Sequence, residues 1–271
     1  MAADSLADVL RLLDARTGSY AEVRPARRGV LRVSAHPPQA AAGSDITALR
    51  VLLIADLLAR TAELRGLQVL VALEMGGPAE QAATLQSDAD ALGIHPPAVR
   101  TSSQDVPSAL GGPVDVHLVS QDASADPVAA GLSVDVGASR LEGAGSGRDA
   151  AAGDGLLAGL RCDPLAVRLA LMSFPGDRPA TVTSDGLDGA AETLGQWRRQ
   201  VARWAESPSR PVPAPIAAAA QSAFDNLDTV SMLALLHGLP PEASVPAGAK
   251  FETFVYADRV LGLDLAREIG R

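Results

Sequence analysis

The sequence predicts an α/β fold, with a Rossmann-like parallel sheet domain over residues 1–155 followed by an all-helical domain over residues 156–271. The first observation is a strand–helix–strand order between residues 30 and 73, which is typical of a parallel βαβ unit. The second is a change beyond residue 155, where apolar residues recur at helical spacing only. The chain is therefore expected to place a helical domain after a sheet that could carry a ligand site.

The predicted sheet domain is built around one long helix. Apolar runs predict strands over residues 30–35, 68–73, 113–120 and 131–136, and helices over residues 45–65 and 78–92. Ser44 is predicted to cap the first helix, Asp45 to lie in its first turn and Gly66 to end it. The segment GASRLEGAGSGRDAAAGDG, residues 137–155, is rich in glycine and small residues and predicts a loop.

The second domain is predicted to be helical throughout. Its apolar periodicity predicts helices over residues 156–173, 184–206, 215–226, 229–238 and 249–269. The segment SPSRPVPAP, residues 207–215, is rich in proline and predicts an extended linker.

Composition excludes several classes of function. With 271 residues, 47% of them hydrophobic, the chain can bury a substantial core. A net charge of −9 argues against a general nucleic-acid surface, because binding phosphates needs a concentrated basic face. The single cysteine, Cys162, excludes an internal disulfide and a CxxC metal site. The longest apolar run, near residues 51–58, is too short for a membrane span, and a cytoplasmic protein is expected.

Six segments resemble, in order, the cysteinyl-tRNA synthetases and the related cysteine ligase of mycothiol biosynthesis. The segment SDADALGIHPPAV, residues 87–99, resembles the DMDALGILPP element of that family. The others are LLDARTGSYAEVRPARRGVLRV (12–33), DPLAVRLALM (163–172), LDGAAETLGQWRRQVARW (187–204), AFDNLDTVSMLALL (223–236) and KFETFVYADRVLGLDL (250–265). The resemblance implies a class I Rossmann domain that activates cysteine with ATP, followed by a helical domain.

The two ATP signatures of this family are missing from the sequence. Aligning the family's DVLRR with residues 56–60 places its His-Ile-Gly-His motif on residues 45–48, DITA, where Asp45 would repel a phosphate. The family's Lys-Met-Ser-Lys-Ser loop should precede residue 163, yet the only lysine in the chain is Lys250. Arg140 and Arg148 are the cations of the segment 137–155 that precedes this position, and we expect them to be solvated loop charges.

The zinc site of the family is also largely missing. In the same register the first zinc-binding cysteine of the family falls on His36, and His117 is the other histidine at a predicted strand position. Histidine can bind zinc, but the segments that would carry the remaining ligands are absent. We expect His36 to be a partly buried neutral histidine and predict no metal site.

Other single residues favour structural roles. His95 is expected to be a turn residue, Cys162 a small core residue, and Asp228 a helix cap. Trp197 and Trp204 are seven residues apart on one predicted helix, which indicates packing on a shared face.

Two functions of different classes remain open. The first is a catalytically degenerate relative that serves as a binding, scaffold or regulatory protein, with no catalytic residue, no cofactor, and a protein partner or a second copy as its ligand. The second is an active ATP-dependent ligase for cysteine or another amino acid, which would use ATP or zinc with substituted residues. In either case Arg50, His36 and Asp45 are the candidate ligand-binding residues of a vestigial pocket, and tRNA is not the expected substrate. A generic Rossmann-like protein is a third possibility, although the sequence contains no GxGxxG, GxxxxGK[ST] or GxSxG motif.

Overall fold

A computed structural model describes residues 10–38, 45–76, 78–101, 106–121, 130–142, 155–157 and 159–271. The strands of these residues are β1 (Arg11–Asp14), β2 (Ser19–Glu22), β3 (Val30–His36), β4 (Gln68–Glu74), β5 (Val99–Thr101), β6 (Val116–Ser120), β7 (Leu132–Val136), β8 (Ser139–Leu141) and β9 (Ala180–Val182). The helices are α1 (Ile46–Glu63), α2 (Ala79–Ala91), α3 (Val106–Ala109), α4 (Pro164–Met172), α5 (Ser184–Trp204), α6 (Ala214–Asp225), α7 (Thr229–Gly238) and α8 (Ala247–Leu261).

Five strands form one parallel sheet in the order β5-β4-β3-β6-β7, and every neighbouring pair is parallel. This arrangement confirms the predicted α/β class, in which a Rossmann-like sheet precedes a mainly helical region. Leu31, Val33 and Ala35 of β3 are fully buried and belong to the same core cluster as the apolar side chains of α1. The order of the strands along the sheet reverses between β3 and β6. In open parallel sheets this is the point where a crevice forms beyond the carboxyl ends of the strands.

Two short elements pack beside the main sheet, and the sequence did not predict them. β1 and β2 form an antiparallel hairpin, whose Ala15 amide donates to the Ser133 carbonyl of β7 at 2.7 Å. β8 pairs in parallel with β9, and β8 lies within the predicted loop 137–155. Residues 143–154 of that loop lie outside the described residues.

Two predicted helices are shorter than their periodicity suggests. The helix predicted over residues 156–173 begins only at Pro164, because Asp163 caps it and a proline fits only its first turn. The helix predicted over residues 249–269 ends at Leu261, because Gly262 adopts a left-handed conformation with φ 61°. Both stop signals are visible in the sequence, and they override a periodic pattern that continues past them.

A buried ionic cluster joins the sheet region to the helices that follow it. The Asp56 carboxylate of α1 accepts hydrogen bonds from Arg168 of α4 at 2.6 Å and from Arg60 at 2.8 Å. The Arg168 guanidinium, fully buried, also donates to the carbonyls of Leu92 and Leu261 at 3.1 and 2.6 Å. Burial raises the pKa of Asp56, but the two arginine charges outweigh this effect and hold the pKa below its ordinary value. Asp56 is therefore an ionised side chain at the centre of the core.

A second carboxylate repeats this arrangement between the helices. Asp163 caps α4 by accepting from the Leu165 amide at 3.0 Å and pairs with Arg198 of α5 at 2.6 Å. Arg198 in turn donates to the carbonyls of Leu263 and Asp264 beyond α8 at 2.8 and 3.0 Å. These bonds fix α4, α5 and the end of α8 together. None of the described helices is both long enough and apolar enough to cross a membrane.

Candidate functional site

The crevice beyond the carboxyl ends of β3 and β6 is the natural place to look for a ligand site. The candidate residues Asp45 and Arg50 lie on α1, which follows β3, and His36 is the last residue of β3. The structure therefore places all three candidate residues around one end of the sheet. Their individual contacts decide what they can do.

The N-terminus of α1 is filled by groups of the protein itself. The Asp45 carboxylate accepts from the Thr47 amide at 2.8 Å, so Asp45 is the N-cap. The prediction that Asp45 lies in the first turn is wrong by one residue, and Ser44 lies outside the described residues. The Thr47 hydroxyl accepts from the Ser139 amide at 3.0 Å and donates to the Ser139 carbonyl at 3.3 Å. A phosphate approaching this terminus would meet a carboxylate and a side chain already bonded to β8.

Arg50 is committed to backbone carbonyls. Its guanidinium, 1% exposed, donates to the carbonyls of Gly137 and Arg178 at 3.1 and 2.6 Å, and to those of Phe174 and Pro175 at 3.4 and 2.7 Å. Burial lowers the pKa of Arg50 to about 10, which still leaves the side chain charged at neutral pH. Four bonds to fixed acceptors hold the turn after α4 against the strand end at Gly137. These four bonds occupy both terminal nitrogens of the guanidinium, so few N–H groups remain to bind an anion.

His36 belongs to a chain of three titratable side chains on one face of the sheet. Its Nδ1 lies 2.9 Å from the Glu74 carboxylate of β4, and its Nε2 lies 3.0 Å from Nδ1 of His117 of β6. The strand register explains this meeting. His36 faces Val119 across the β3–β6 pair, and His117 is two residues earlier, so both side chains point to the same face. The pairing of two predicted histidines depends on β3 and β6 being neighbours.

The two imidazoles are neutral at neutral pH. Burial lowers the pKa of His36, and the Glu74 carboxylate opposes this effect only in part. Burial, together with the nearby His36, lowers the pKa of His117 to about 4. A proton added to the pair would be shared along the hydrogen bond between the two rings. The chain is therefore a hydrogen-bonded network of one carboxylate and two neutral imidazoles at the carboxyl end of the sheet.

The same residues do not fit a zinc ion. Zinc needs at least three protein ligands that converge on one point. The Glu74 carboxylate contacts Nδ1 of His36, whereas His117 contacts Nε2 on the other side of the ring. The carboxylate and the second imidazole are therefore separated by the His36 ring and do not converge on one ion. Among the described residues, no group of three or more histidine, cysteine, aspartate or glutamate side chains could hold a metal.

The remaining polar residues of the sequence analysis have structural contacts. His95 donates its amide to Asp56 at 3.1 Å and places Nδ1 at 2.8 Å from the same carboxylate. Asp228 caps α7, as predicted, by accepting from the Ser231 amide at 2.9 Å. Arg140 is exposed on β8, whereas Arg148 lies outside the described residues.

The predicted aromatic face and the single lysine belong to one cluster. Trp197 and Trp204 both pack edge-on against Phe254 of α8, with ring centres 5.7 and 5.2 Å apart. The Lys250 ammonium donates to the Pro240 carbonyl at 2.9 Å and lies 5.8 Å from the centre of the Trp204 ring. Lys250 is thus a buried packing residue of α8 rather than a phosphate ligand.

Sequence reasoning missed Glu74. The signal was available, because Glu74 is a carboxylate directly after the apolar run QVLVAL, at the carboxyl end of a strand next to β3. The burial of Arg168 was also not predicted. An arginine within a helix is usually solvated, and the carbonyl and carboxylate acceptors that allow its burial come from distant segments.

The fold and the site define the chain as an α/β protein with a five-stranded parallel sheet whose strand order reverses between β3 and β6. Its overall structure is similar to arginyl-tRNA synthetase from Thermus thermophilus, with a TM-score of 0.37 and 11% sequence identity, over 89% of this chain and 82% of that chain. The chain matches no protein-family model and no curated protein.

Proposed function

We propose that this protein is a non-catalytic relative of the cysteinyl-tRNA synthetases and the mycothiol cysteine ligase, and that it works in the cytoplasm as a binding or scaffold protein. Its ligand is a protein partner or a second copy of the chain. The proposal rests on the resemblance of six segments in order and on the state of the helix terminus where that family would bind ATP.

The observation that carries the proposal is the closure of the α1 N-terminus. A helix start binds phosphate through free amide groups and its positive dipole end. Here the carboxylate of Asp45 takes the Thr47 amide, and the Thr47 hydroxyl is bonded to Ser139. Arg50, the other candidate for anion binding, has four carbonyl partners. Adenylate formation needs groups that stabilise charge on the leaving pyrophosphate, and these residues do not offer them.

A partner would meet a polar surface. Among the described residues, Tyr20 and Ile269 are the only large hydrophobic side chains that are exposed, at 49% and 41%. An interface built on hydrogen bonds and charge complementarity fits such a surface better than an obligate apolar interface.

One observation favours the alternative, an active ATP-dependent ligase with substituted residues. The Glu74–His36–His117 chain lies at the carboxyl end of the sheet, where a general base would be placed in an α/β enzyme. Both ring nitrogens of His36 already have partners, so under this alternative a substrate would have to displace one of these contacts before His36 could accept a proton. The missing phosphate contacts would have to come from another source.

The two functions are separated by a cysteine-dependent ATP–pyrophosphate exchange assay together with melting curves in the presence and absence of Mg-ATP. We expect no exchange above a blank without protein, and no change in melting temperature. ATP at a hundredfold excess over its Kd would stabilise the folded state by about 3 kcal/mol, which would raise the melting temperature by several degrees. Cysteine-dependent exchange would refute the non-catalytic proposal.

Matched histidine variants identify the source of any activity. His36→Ala removes the central member of the chain, and His237→Ala removes an exposed histidine of α7 as the control. Exchange that is lost in the first variant and kept in the second would establish the ligase. Sedimentation of the purified chain, and its capture from extracts of the native host, would then test for a second copy or a partner.

A further inference from the structure

A cavity of about 590 Å³ lies away from the α1 N-terminus, where the β1–β2 hairpin, the middle of α1 and the turn after α4 meet. This volume lies within the range of pockets that hold small organic ligands, roughly 300–1,000 Å³. The strand end of β7 and the start of α7 complete the lining. Five separate parts of the chain therefore line a space that none of them fills.

One side of the cavity is an apolar wall supplied by α1 and by the end of α4 with the turn that follows. The residues of this wall are Leu53, Ile54, Leu57, Leu171, Met172 and Phe174. Ile54 is only partly buried, although most of its neighbours on α1 are buried. A ligand that covered this wall would remove apolar surface from water, which favours binding by roughly 25 cal/mol per Å².

The lining also contains charged groups, and most of them already have partners. Asp228 accepts from the Ser231 amide and hydroxyl at 2.9 and 2.6 Å, and Arg50 donates to four carbonyls. Arg178 lies 3.5 Å from Asp177, with 75% of its side chain exposed. Within the part of the chain that the structure describes, the Asp135 side chain makes no hydrogen bond and no ion pair.

Asp135 and Asp177 repel each other across this end of the cavity. Burial raises the pKa of Asp135, and the negative charge of Asp177 adds to the rise. A cation placed between the two carboxylates would relieve both effects. An anion or a neutral ligand would leave the Asp135 carboxylate without an ionic partner.

We propose that this cavity binds a small organic ammonium ion with an apolar body. The ammonium group lies at the carboxylates of Asp135 and Asp177, and the apolar body packs against Ile54 and its neighbours on the wall. The carboxylates and the apolar wall that carry this proposal do not include Asp45 or Thr47 at the N-terminus of α1, although Arg50 also lies in the lining. The site gives the chain a small-molecule ligand in addition to the partner proposed above.

The test compares three phenyl-bearing probes of similar size that differ in charge. Phenethylammonium, 2-phenylethanol and 3-phenylpropanoate are titrated into the purified chain, and Kd is measured from the ligand signals in saturation-transfer NMR. We expect the ammonium probe to bind at least tenfold more tightly than the alcohol, and the carboxylate probe to bind more weakly than both. Equal affinities for the ammonium probe and the alcohol would overturn the proposal, as would the absence of binding by all three.

Variants locate the binding site. Asp135→Asn removes the carboxylate with little change in volume, and Ile54→Trp fills the cavity from a partly exposed position. Glu206→Gln neutralises an exposed carboxylate outside the lining and is the matched control. The first two variants should weaken phenethylammonium binding at least tenfold, and the control by less than twofold. Far-UV circular dichroism and melting curves confirm that each variant is folded, and unchanged affinity in the folded Asp135→Asn or Ile54→Trp variant would refute the assigned site.

Discussion

Replacing Asp56 by asparagine should lower the free energy of unfolding by about 3 kcal/mol. The carboxylate is fully buried and accepts from Arg168, Arg60 and the backbone and ring of His95. Asparagine keeps the shape but loses the charge, so the buried Arg168 guanidinium is left without a counter-charge. Breaking a buried ion pair in this way costs roughly 3–5 kcal/mol.

The lower end of that range applies because Arg168 and Arg60 keep other hydrogen-bond partners after the substitution. The carbonyls of Leu92 and Leu261 still accept from Arg168, and Arg60 is partly exposed, so water can solvate it. A domain of ordinary stability, with about 5–15 kcal/mol, would survive this loss. In urea the unfolding midpoint should fall by about 1 M if the m-value is near 3 kcal/mol/M.

The assay is equilibrium unfolding in urea, followed by circular dichroism. Glu22→Gln is the control, because its pair with Arg24 is exposed and should contribute less than about 1 kcal/mol. The double replacement Asp56→Leu with Arg168→Met removes both charges, and it should cost about 2 kcal/mol less than the sum of the single changes. If Asp56→Asn were no more destabilising than the Glu22 control, the assignment of a buried ionic cluster would be refuted.

Three further predictions follow from single side chains. His117 keeps a pKa of about 4 in the folded protein against 6.5 in the unfolded chain, so stability should fall as the pH drops from 6.5 to 4. The full pKa shift corresponds to about 3.4 kcal/mol of stability, and halving it for the partly exposed ring leaves about 1.5–2 kcal/mol. Urea unfolding at pH 7 and at pH 4.5 measures this loss of stability, and His117→Gln should abolish it. Arg50→Met leaves the carbonyls of four residues without their donor and should cost about 2–4 kcal/mol, and Arg50→Lys should recover little, because an ammonium cannot span four acceptors. Burial raises the pKa of the Cys162 thiol, so it should react with Ellman's reagent at least tenfold more slowly in the native chain than in urea.

The parts of the fold that could be predicted are those set by local pattern. The strands β3, β4, β6 and β7 and the helix α1 each have an apolar run with clear stop signals, and each was predicted within a few residues. The β8–β9 pair could not be predicted, because two three-residue strands separated by about forty residues carry no local signal. Its formation depends on tertiary packing around Thr47 and Ser139.

The candidate site shows the same limit. Both His36 and His117 were recognisable as strand residues, but their hydrogen bond follows from the order of the strands in the sheet. The sequence predicts Arg50 as a candidate ligand-binding residue. In the structure its guanidinium donates to carbonyls from the strand end at residue 137 and from the turn at residues 174–178. Acceptors that are distant in sequence cannot be read from the segment that carries the donor.

The residues of the buried polar network are harder to replace than a helix cap. Asp56, Asp88, Asp163 and Arg168 each bind the backbone or a charged side chain of another element. Asp88, for example, accepts from the Leu156 amide at 2.8 Å and so fixes the approach to α4. Replacing any one of these residues alone should lower the free energy of unfolding, because its partners would be left buried and unpaired. Asp45 at the α1 N-terminus is different, because its carboxylate bonds to the Thr47 amide of its own helix. Another capping residue could replace it at a lower cost to the fold. The buried framework therefore says little about activity, which has to be tested at the helix terminus itself.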